Sequence, residues 1–216
     1  NLLYFTAANN HFIRVGTELG ELAISRSLAA AGLTAADVDV LFFVSVTGVA
    51  TPSIDAKLMN RLGFRSDMKR VPIFGLGCVA GAAGLGRVHD YLVGHPNDVA
   101  VLLSVELCSL TLQRQDLSIP NMIASGLFGD GAAAVVAVGE QHTTAERGLV
   151  RVCGSRSRFY PDTEGVMGWE IGSDGFKIVL EATVPALAEA HLADDLDAFL
   201  TPLDLTRSQI TQWVCH

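Results

Sequence analysis

A cysteine at the start of a predicted helix is the residue of this sequence best suited to nucleophilic chemistry. Cys78 follows the β-type run 71–76 and the glycines Gly75 and Gly77, within the stretch RVPIFGLGCVAGAAG. A thiol in the first turn of a helix lies near unpaired backbone N–H groups and the positive end of the helix dipole, which stabilise the thiolate. The pattern predicts a lowered pKa and a nucleophilic role for Cys78, against the common role of a free cysteine as a small core residue.

A nucleophilic cysteine needs a base or a cation beside it, and six histidines are available. His216 is the candidate, because it follows the apolar run 210–215, which is predicted to be a buried strand, and α/β active sites lie at sheet edges. A structural role for His216 stays open. The other five fall on predicted helices, in a turn or in polar loops, where solvated histidines are usual: His11, His89, His95, His142 and His191.

The remaining cysteines show no pattern of a metal site or a disulfide framework. Cys108, Cys153 and Cys215 are widely spaced and form no CxxC or Cys/His ligand pair. Each is interpreted as a core residue or a reactive thiol. No metal is therefore expected.

The composition is that of a globular α/β protein. Of the 216 residues, 50% are hydrophobic and 18% charged, which argues against disorder, and the net charge is -8. An acidic chain gives no electrostatic reason to expect nucleic acid or an anionic membrane as a partner. No apolar run reaches the ~20 residues that span a bilayer, and the first residues lack the features of a signal peptide, so the cytoplasm is expected.

Strand-like and helix-like patterns alternate along the chain, which predicts crossover units on a mainly parallel sheet. Helices are predicted over 9–32, 52–63, 79–93 and 182–200, and strands over 38–46, 71–76, 99–105, 131–139, 149–153 and 210–215. The stretch 112–126 is predicted to be loop and short helix, and 165–175 is a Gly-rich patch. The polar stretch 140–147 is the predicted boundary between two sections. The sequence stops within an apolar strand pattern, which favours a fragment of a longer protein.

Five stretches, taken in order, carry a family resemblance. They read TGVATPSIDAKLMNRLGFR, GLGCVAGAAGLGRVHDYL, VLLSVELCSLTLQR, GLFGDGAAAVV and the closing ITQWVCH. These stretches resemble the type III polyketide synthases, the chalcone and stilbene synthase superfamily of the thiolase fold. The resemblance implies an α/β thiolase-like fold in layers α-β-α-β-α, with mainly parallel mixed sheets, incomplete at both ends. Residues 1–140 would be the N-terminal half with the nucleophile, and 147–216 the beginning of the C-terminal half, truncated at the catalytic histidine.

The resemblance implies roles for individual residues. Cys78 matches the nucleophile that accepts an acyl group from a coenzyme A thioester, and His216 matches the histidine that pairs with the thiolate and helps to bind the thioester oxyanion. Phe128 matches the aromatic gate between the coenzyme A tunnel and the reaction cavity. Further positions match the cavity lining, Thr51 near the loop that reaches across a dimer interface: Cys108, Thr111, Thr47, Thr51 and Ile178.

The implied reaction loads an acyl-CoA starter, extends it by repeated decarboxylative condensation with malonyl-CoA and cyclises the product, without a metal or redox cofactor. A cytoplasmic homodimer is the implied assembly. The small and medium cavity residues favour a long acyl starter, and hence an alkylpyrone or alkylresorcinol product of the bacterial type.

Two other interpretations stay open. The ketoacyl synthase III and HMG-CoA synthase branch shares the cysteine and histidine, and a non-catalytic thiolase-like protein could serve as a dimer partner or acyl binder. The family's catalytic asparagine and its N-terminal basic residues, which grip the coenzyme A phosphates, have no counterpart in the sequence.

Overall fold

A four-stranded sheet forms the centre of the protein in the computed structural model, which describes residues 5–148 and 150–216. The strands are β1 (Val40–Ser45), β2 (Lys69–Phe74), β3 (Val99–Leu107) and β4 (Asp130–Val138). Their order is β2-β1-β3-β4, with β1 parallel to both neighbours and β4 antiparallel to β3. The predicted mixed, mainly parallel sheet of an α/β fold is confirmed.

The central strand β1 is buried on both faces because helices cover both sides of the sheet. All six of its residues are buried. Successive side chains of a strand point to opposite faces: Leu41 and Phe43 join one core, and Val40, Phe42 and Val44 join the other. Helix α1 (Phe5–Ala31) packs on the first core, and helix α3 (Ala80–Gly94) packs on the second. The apolar run of β1 therefore matches its position between two helical layers.

Three further α-helices and a hairpin, together with short 3-10 turns, make up the remaining regular structure of the described residues. They are α2 (Ile54–Leu62), α4 (Ile119–Leu127), α5 (Val184–Leu200) and the antiparallel strands β5 (Met167–Gly172) and β6 (Gly175–Leu180). Gly63 ends α2 in the left-handed conformation at φ 70°. Ser118 caps α4 by accepting a hydrogen bond from the backbone N–H of Asn121 at 3.4 Å.

Two predicted strands are wrong. Residues 150–153 form no strand, and Leu149 lies outside the described residues. The run 210–215 is irregular and almost entirely exposed, with Val214 fully open to solvent. An apolar run becomes a strand only where another strand pairs with its backbone groups, and each strand of the described residues pairs with others.

The hairpin β5–β6 was not predicted as strands, because glycine-rich sequence is depleted in strands. Its two-residue turn, Ser173 and Asp174, lies between Gly172 and Gly175, which are opposite each other in the ladder. Gly175 adopts φ 103°, which side chains other than hydrogen rarely allow.

Candidate active site

Cys78 lies where β2 passes into α3, as the sequence predicts. Gly75 and Gly77 follow the strand with φ of 93° and 57°. A Cβ at either glycine would meet no atom within 4 Å, so the backbone conformation, not lack of space, requires glycine there. A short 3-10 turn, Gly77–Val79, then leads directly into α3 and carries the thiol on its exposed side.

The predicted lowering of the Cys78 pKa is wrong for the described residues. Although Cys78 is an exposed residue, partial desolvation of its thiol, followed by the negative charge of Glu106, raises its pKa, and its own backbone N–H offsets this only in part. Cys78 lies at the helix terminus that the sequence predicts. The backbone amides there lower its pKa less than desolvation and the carboxylate of Glu106 raise it. The thiol therefore needs a cation beside it to become a thiolate at neutral pH.

Glu106 is the charged group that sequence reasoning missed. It lies on β3, and its carboxylate accepts hydrogen bonds from the backbone N–H of Val46 at 3.0 Å and from the hydroxyls of Thr47 at 2.7 Å and Ser45 at 3.4 Å. Burial raises the pKa of Glu106, and these hydrogen bonds counteract the rise. A lone carboxylate within the apolar run VLLSVELCSL is the signal that could have identified it.

Thr47 ties the ends of β1 and β3 together. It is buried, and its hydroxyl accepts the backbone N–H of Leu107 at 2.9 Å while donating to Glu106 at 2.7 Å. Both hydrogen-bonding functions of the hydroxyl are thus used within the protein. Thr51 is exposed and precedes Pro52 in a cis peptide bond. The cavity-lining role of these two threonines stays a prediction, because neither lines the cleft described next.

A cleft of about 360 Å³ brings four predicted residues together. Its lining includes Cys108, Thr111, Phe128 and Ile178. They come from three separate places. Cys108 begins and the buried Thr111 ends the 3-10 turn after β3, Phe128 follows the end of α4, and Ile178 lies on β6. The tertiary structure therefore assembles one wall from the first half of the chain and another from the hairpin.

Cys108 is a poor nucleophile in this environment. Burial, followed by the charges of Glu106, Asp130 and Cys78, raises its pKa to about 11. Asp130, at the start of β4, also accepts hydrogen bonds from the backbone N–H of Ser109 at 2.8 Å and from its hydroxyl at 2.6 Å. The carboxylates of Glu106 and Asp130 thus act on Cys108, which is suited to lining rather than to attack.

Trp169 is a second residue that sequence reasoning missed. Its ring lies edge-on to Phe128, with centroids 6.3 Å apart, and edge-on to Phe176 at 6.1 Å. Phe176 in turn contacts Phe5 of α1 at 5.7 Å. A row of four aromatic rings therefore runs from α1 to the cleft lining, where Trp169 occupies space that a smaller residue would leave open. No pattern in the sequence indicates that Trp169 lines a cleft, because a tryptophan within a Gly-rich patch is typical of a loop.

His216 is not brought to Cys78. It is exposed, lies in the irregular stretch after the last short 3-10 turn, and makes no hydrogen bond among the residues that the structure describes. Its predicted strand is absent, so its catalytic role stays a prediction. No group of three or more His, Cys, Asp or Glu side chains is placed to hold a metal within 5–148 and 150–216. Over the same residues, no helix has the length and apolar character needed to cross a membrane.

Comparisons with known proteins agree with this geometry. The family model described as chalcone and stilbene synthases, N-terminal domain, matches residues 7–141. A 1,3,6,8-tetrahydroxynaphthalene synthase of Streptomyces peucetius subsp. caesius is 56% identical over 98% of this chain and 56% of its own length. The crystal structure of the Streptomyces coelicolor 1,3,6,8-tetrahydroxynaphthalene synthase, a bacterial type III polyketide synthase, superposes with a TM-score of 0.93 at 34% identity, over 100% of this chain and 60% of its own.

A third similar protein is the germicidin synthase of Streptomyces coelicolor, also a type III polyketide synthase, with a TM-score of 0.85 at 26% identity over 95% of this chain and 55% of its own. The chain thus spans between half and two thirds of the length of these relatives. With the match over 7–141 and the agreement of fold over the whole chain, the chain belongs to the chalcone and stilbene synthase family, whose N-terminal domain it contains.

Proposed function

We propose that the whole protein is a type III polyketide synthase in which Cys78 carries the growing acyl chain. The observation that carries the proposal is the position of Cys78 on a strand-to-helix turn, where the glycines at positive φ and the 3-10 turn place its thiol at the start of α3. The identity of 56% to a tetrahydroxynaphthalene synthase supports it. The same similarities favour this branch over the ketoacyl synthase III and HMG-CoA synthase branch.

The chemistry follows from the residue types. The Cys78 thiolate attacks the thioester carbon of an acyl-CoA, the bond from that carbon to the coenzyme A sulfur breaks, and coenzyme A leaves as a thiol after taking a proton. Malonyl-CoA then loses CO₂, and its enolate attacks the acyl carbon on Cys78, which regenerates the thiolate. The substrates supply the carbanion, so neither a metal nor a redox cofactor is required by this sequence of steps.

His216 is proposed as the cation that makes the thiolate available. The raised pKa of Cys78 leaves the isolated thiol protonated at neutral pH. An imidazolium next to the sulfur would lower that pKa and would also stabilise a thioester oxyanion. This role requires the segment 210–216 to approach the sheet edge in the complete protein.

A compact aromatic product fits the cleft better than a long alkyl product. The volume of about 360 Å³ lies near the lower end of the roughly 300–1,000 Å³ typical of small-molecule sites. Trp169 lines the cleft beside Phe128. We therefore propose 1,3,6,8-tetrahydroxynaphthalene, the product in the names of the relatives, whose ten ring carbons correspond to five two-carbon units. The small side chains of Cys108 and Thr111 favour the second candidate, an alkylpyrone or alkylresorcinol.

The assembly and compartment belong to the same proposal. A homodimer in the cytoplasm is proposed. Thr51 is placed near the dimer interface because Thr51 and Val49, two residues before it, are exposed after the end of β1. Sedimentation of the complete protein tests the dimer directly.

Labelling of the complete protein tests the activity. Incubation with radiolabelled starter acyl-CoA should give one covalent adduct in the parent and in Cys153→Ala, a matched control at another exposed cysteine, and none in Cys78→Ala. Mass spectrometry after addition of malonyl-CoA should show the naphthalene product. A parent protein that forms no adduct would be a non-catalytic acyl binder or dimer partner, and alkyl products from long starters would select the second candidate.

A further inference from the structure

The hairpin β5–β6 forms one wall of the cleft, and few hydrogen bonds join it to the first half of the chain within the described residues. Trp169 on β5 and Ile178 on β6 face the cleft from the hairpin. Apolar contact of Phe176 with Phe5 holds the middle of the wall. Among the hydrogen bonds of residues 5–148 and 150–216, the side chain of Gln113 supplies the only ones that join the hairpin to the first half of the chain.

The contacts of Gln113 have the geometry of a clamp on the hairpin turn. Its amide nitrogen Nε2 donates to the carbonyl oxygens of Asp174 and Phe176, both at 3.1 Å. These two acceptors flank Gly175, which is buried and would place a Cβ 3.8 Å from the same nitrogen. The same nitrogen has a third, longer contact with the carbonyl oxygen of Thr111 at 3.5 Å. Because it carries only two hydrogens, the two shorter contacts with the hairpin account for its donor capacity.

The clamp is itself held on the first half of the chain. The buried Asn121 of α4 donates from its side chain to the backbone carbonyl of Gln113 at 2.9 Å and to that of Asp116 at 2.7 Å. Asn121 also lines the cleft. Its position fixes the backbone from which the Gln113 side chain reaches the hairpin, so the spacing between the two walls depends on a continuous chain of hydrogen bonds.

We propose that Gln113 is a positioning residue that sets the width of the cleft, and through it the length of the polyketide that the cleft admits, by clamping the turn of the hairpin that carries Trp169. This inference rests on the proposed function for its consequence, but the clamp itself is a property of the fold. Gln113 does not itself line the cleft and makes no hydrogen bond with Cys78 in the described residues, so its loss should alter the wall and leave Cys78 unchanged.

The direction of the effect follows from what remains after the clamp is removed. The Phe5–Phe176 contact and the packing of β6 on α4 still hold β6. The turn, however, loses the only side-chain hydrogen bonds that join it to the first half of the chain in the described residues, and it moves away from the loop that carries Gln113. The Trp169 ring then packs less closely against Phe128, and the cleft between the two walls becomes wider. Longer intermediates and more solvent enter.

Fluorescence of Trp169 tests the clamp without reference to catalysis. The chain has two tryptophans, so Trp213→Phe leaves Trp169 as the single emitter. In this background Gln113→Met, which keeps the length and removes both donors, should raise the quenching of Trp169 by acrylamide. Gln115→Met is the matched control, because Gln115 is exposed in the same loop and its side chain makes no hydrogen bond in the described residues.

Product analysis of the complete protein tests the consequence. Loss of one hydrogen bond of ordinary net strength changes an equilibrium constant by about fivefold. We expect most of this change to reach the products, so Gln113→Met should raise the ratio of longer to shorter products by about threefold or more. The rate of Cys78 acylation should stay at the parental value. Gln113→Glu is the second variant, in case the first does not fold; its carboxylate faces two carbonyl oxygens and should shift the ratio further.

The outcomes separate the two proposals. If the parent makes polyketides while quenching and product ratio stay parental in the folded Gln113 variants, the inference is overturned and the proposed function stands. If the parent makes none, the proposed function fails, and the quenching experiment alone decides the clamp. A change in quenching that Gln115→Met shares equally would also overturn it, because the effect would then belong to the loop and not to the Gln113 hydrogen bonds.

Discussion

The hydroxyl of Thr47 joins two strand ends, and its removal should destabilise the 216-residue chain strongly for so small a change. Thr47→Val keeps the shape of the side chain and removes both hydrogen bonds of its hydroxyl, one from the backbone N–H of Leu107 and one to the carboxylate of Glu106. The perturbation therefore creates no cavity. Its cost comes from polar groups that lose their partners in a buried place.

The magnitude follows from these two contacts. A buried N–H without an acceptor costs about 1–3 kcal/mol, and a hydrogen bond to a charged group contributes about 1.5–3 kcal/mol. Better burial of the added methyl group offsets about 1 kcal/mol. We expect the free energy of unfolding to fall by about 2–4 kcal/mol. Thr47→Ser is the matched control, because it keeps the hydroxyl and loses only one methyl group, at a cost of about 1 kcal/mol.

Urea unfolding followed by circular dichroism measures the difference, and equal m-values in the three proteins would show that only stability has changed. The effect should also depend on pH. Burial raises the pKa of Glu106, so the stability that this group contributes is fully present below its unfolded pKa and is lost as the pH rises through the folded pKa. Loss of the Thr47 hydroxyl raises that pKa further, so Thr47→Val should be least harmful in acid.

The result that refutes this reasoning is a Thr47→Val protein as stable as Thr47→Ser at neutral pH. The hydroxyl would then not bridge Leu107 and Glu106. A change in starter preference at unchanged stability would instead support the role in cavity lining that the family resemblance implies.

Three further predictions follow from single contacts. The charge of Glu106 adds to burial in raising the pKa of Cys108, so Glu106→Gln should speed alkylation of Cys108 at a fixed pH below about 11. Peptide mapping after alkylation measures this rate. An unchanged rate would show that Glu106 does not raise the Cys108 pKa. Trp169→Ala should widen the cleft and shift the products of the complete protein toward longer chains, as mass spectrometry would show. An unchanged product profile would show that Trp169 does not limit the cleft. Gly48→Ala should lower the free energy of unfolding by about 1–3 kcal/mol, because its Cβ would overlap the ring of Phe12 in α1. Gly81→Ala in α3 should not lower it, because the space around Gly81 is open. Equal shifts of the melting temperature in the two variants would contradict this.

The location of Cys78 between a strand and a helix and the type of fold could be predicted from the sequence, because local patterns indicate both. The apolar run of β1 indicates burial on both faces, and the glycines before Cys78 indicate a turn from strand to helix. The predicted cleft residues Phe128 and Ile178 came from family resemblance, and the structure places both in one lining.

The electrostatics and the walls of the site were decided only by the tertiary structure. The pKa of Cys78 was predicted to fall and instead rises, because desolvation and the charge of Glu106 depend on which residues surround the sulfur in space. Trp169 faces the cleft because a hairpin folds back onto the turn after β3 and α4. The run 210–215 is apolar enough for a strand, yet a strand also needs a partner for its backbone N–H and C=O groups, and no pattern within the run can supply one.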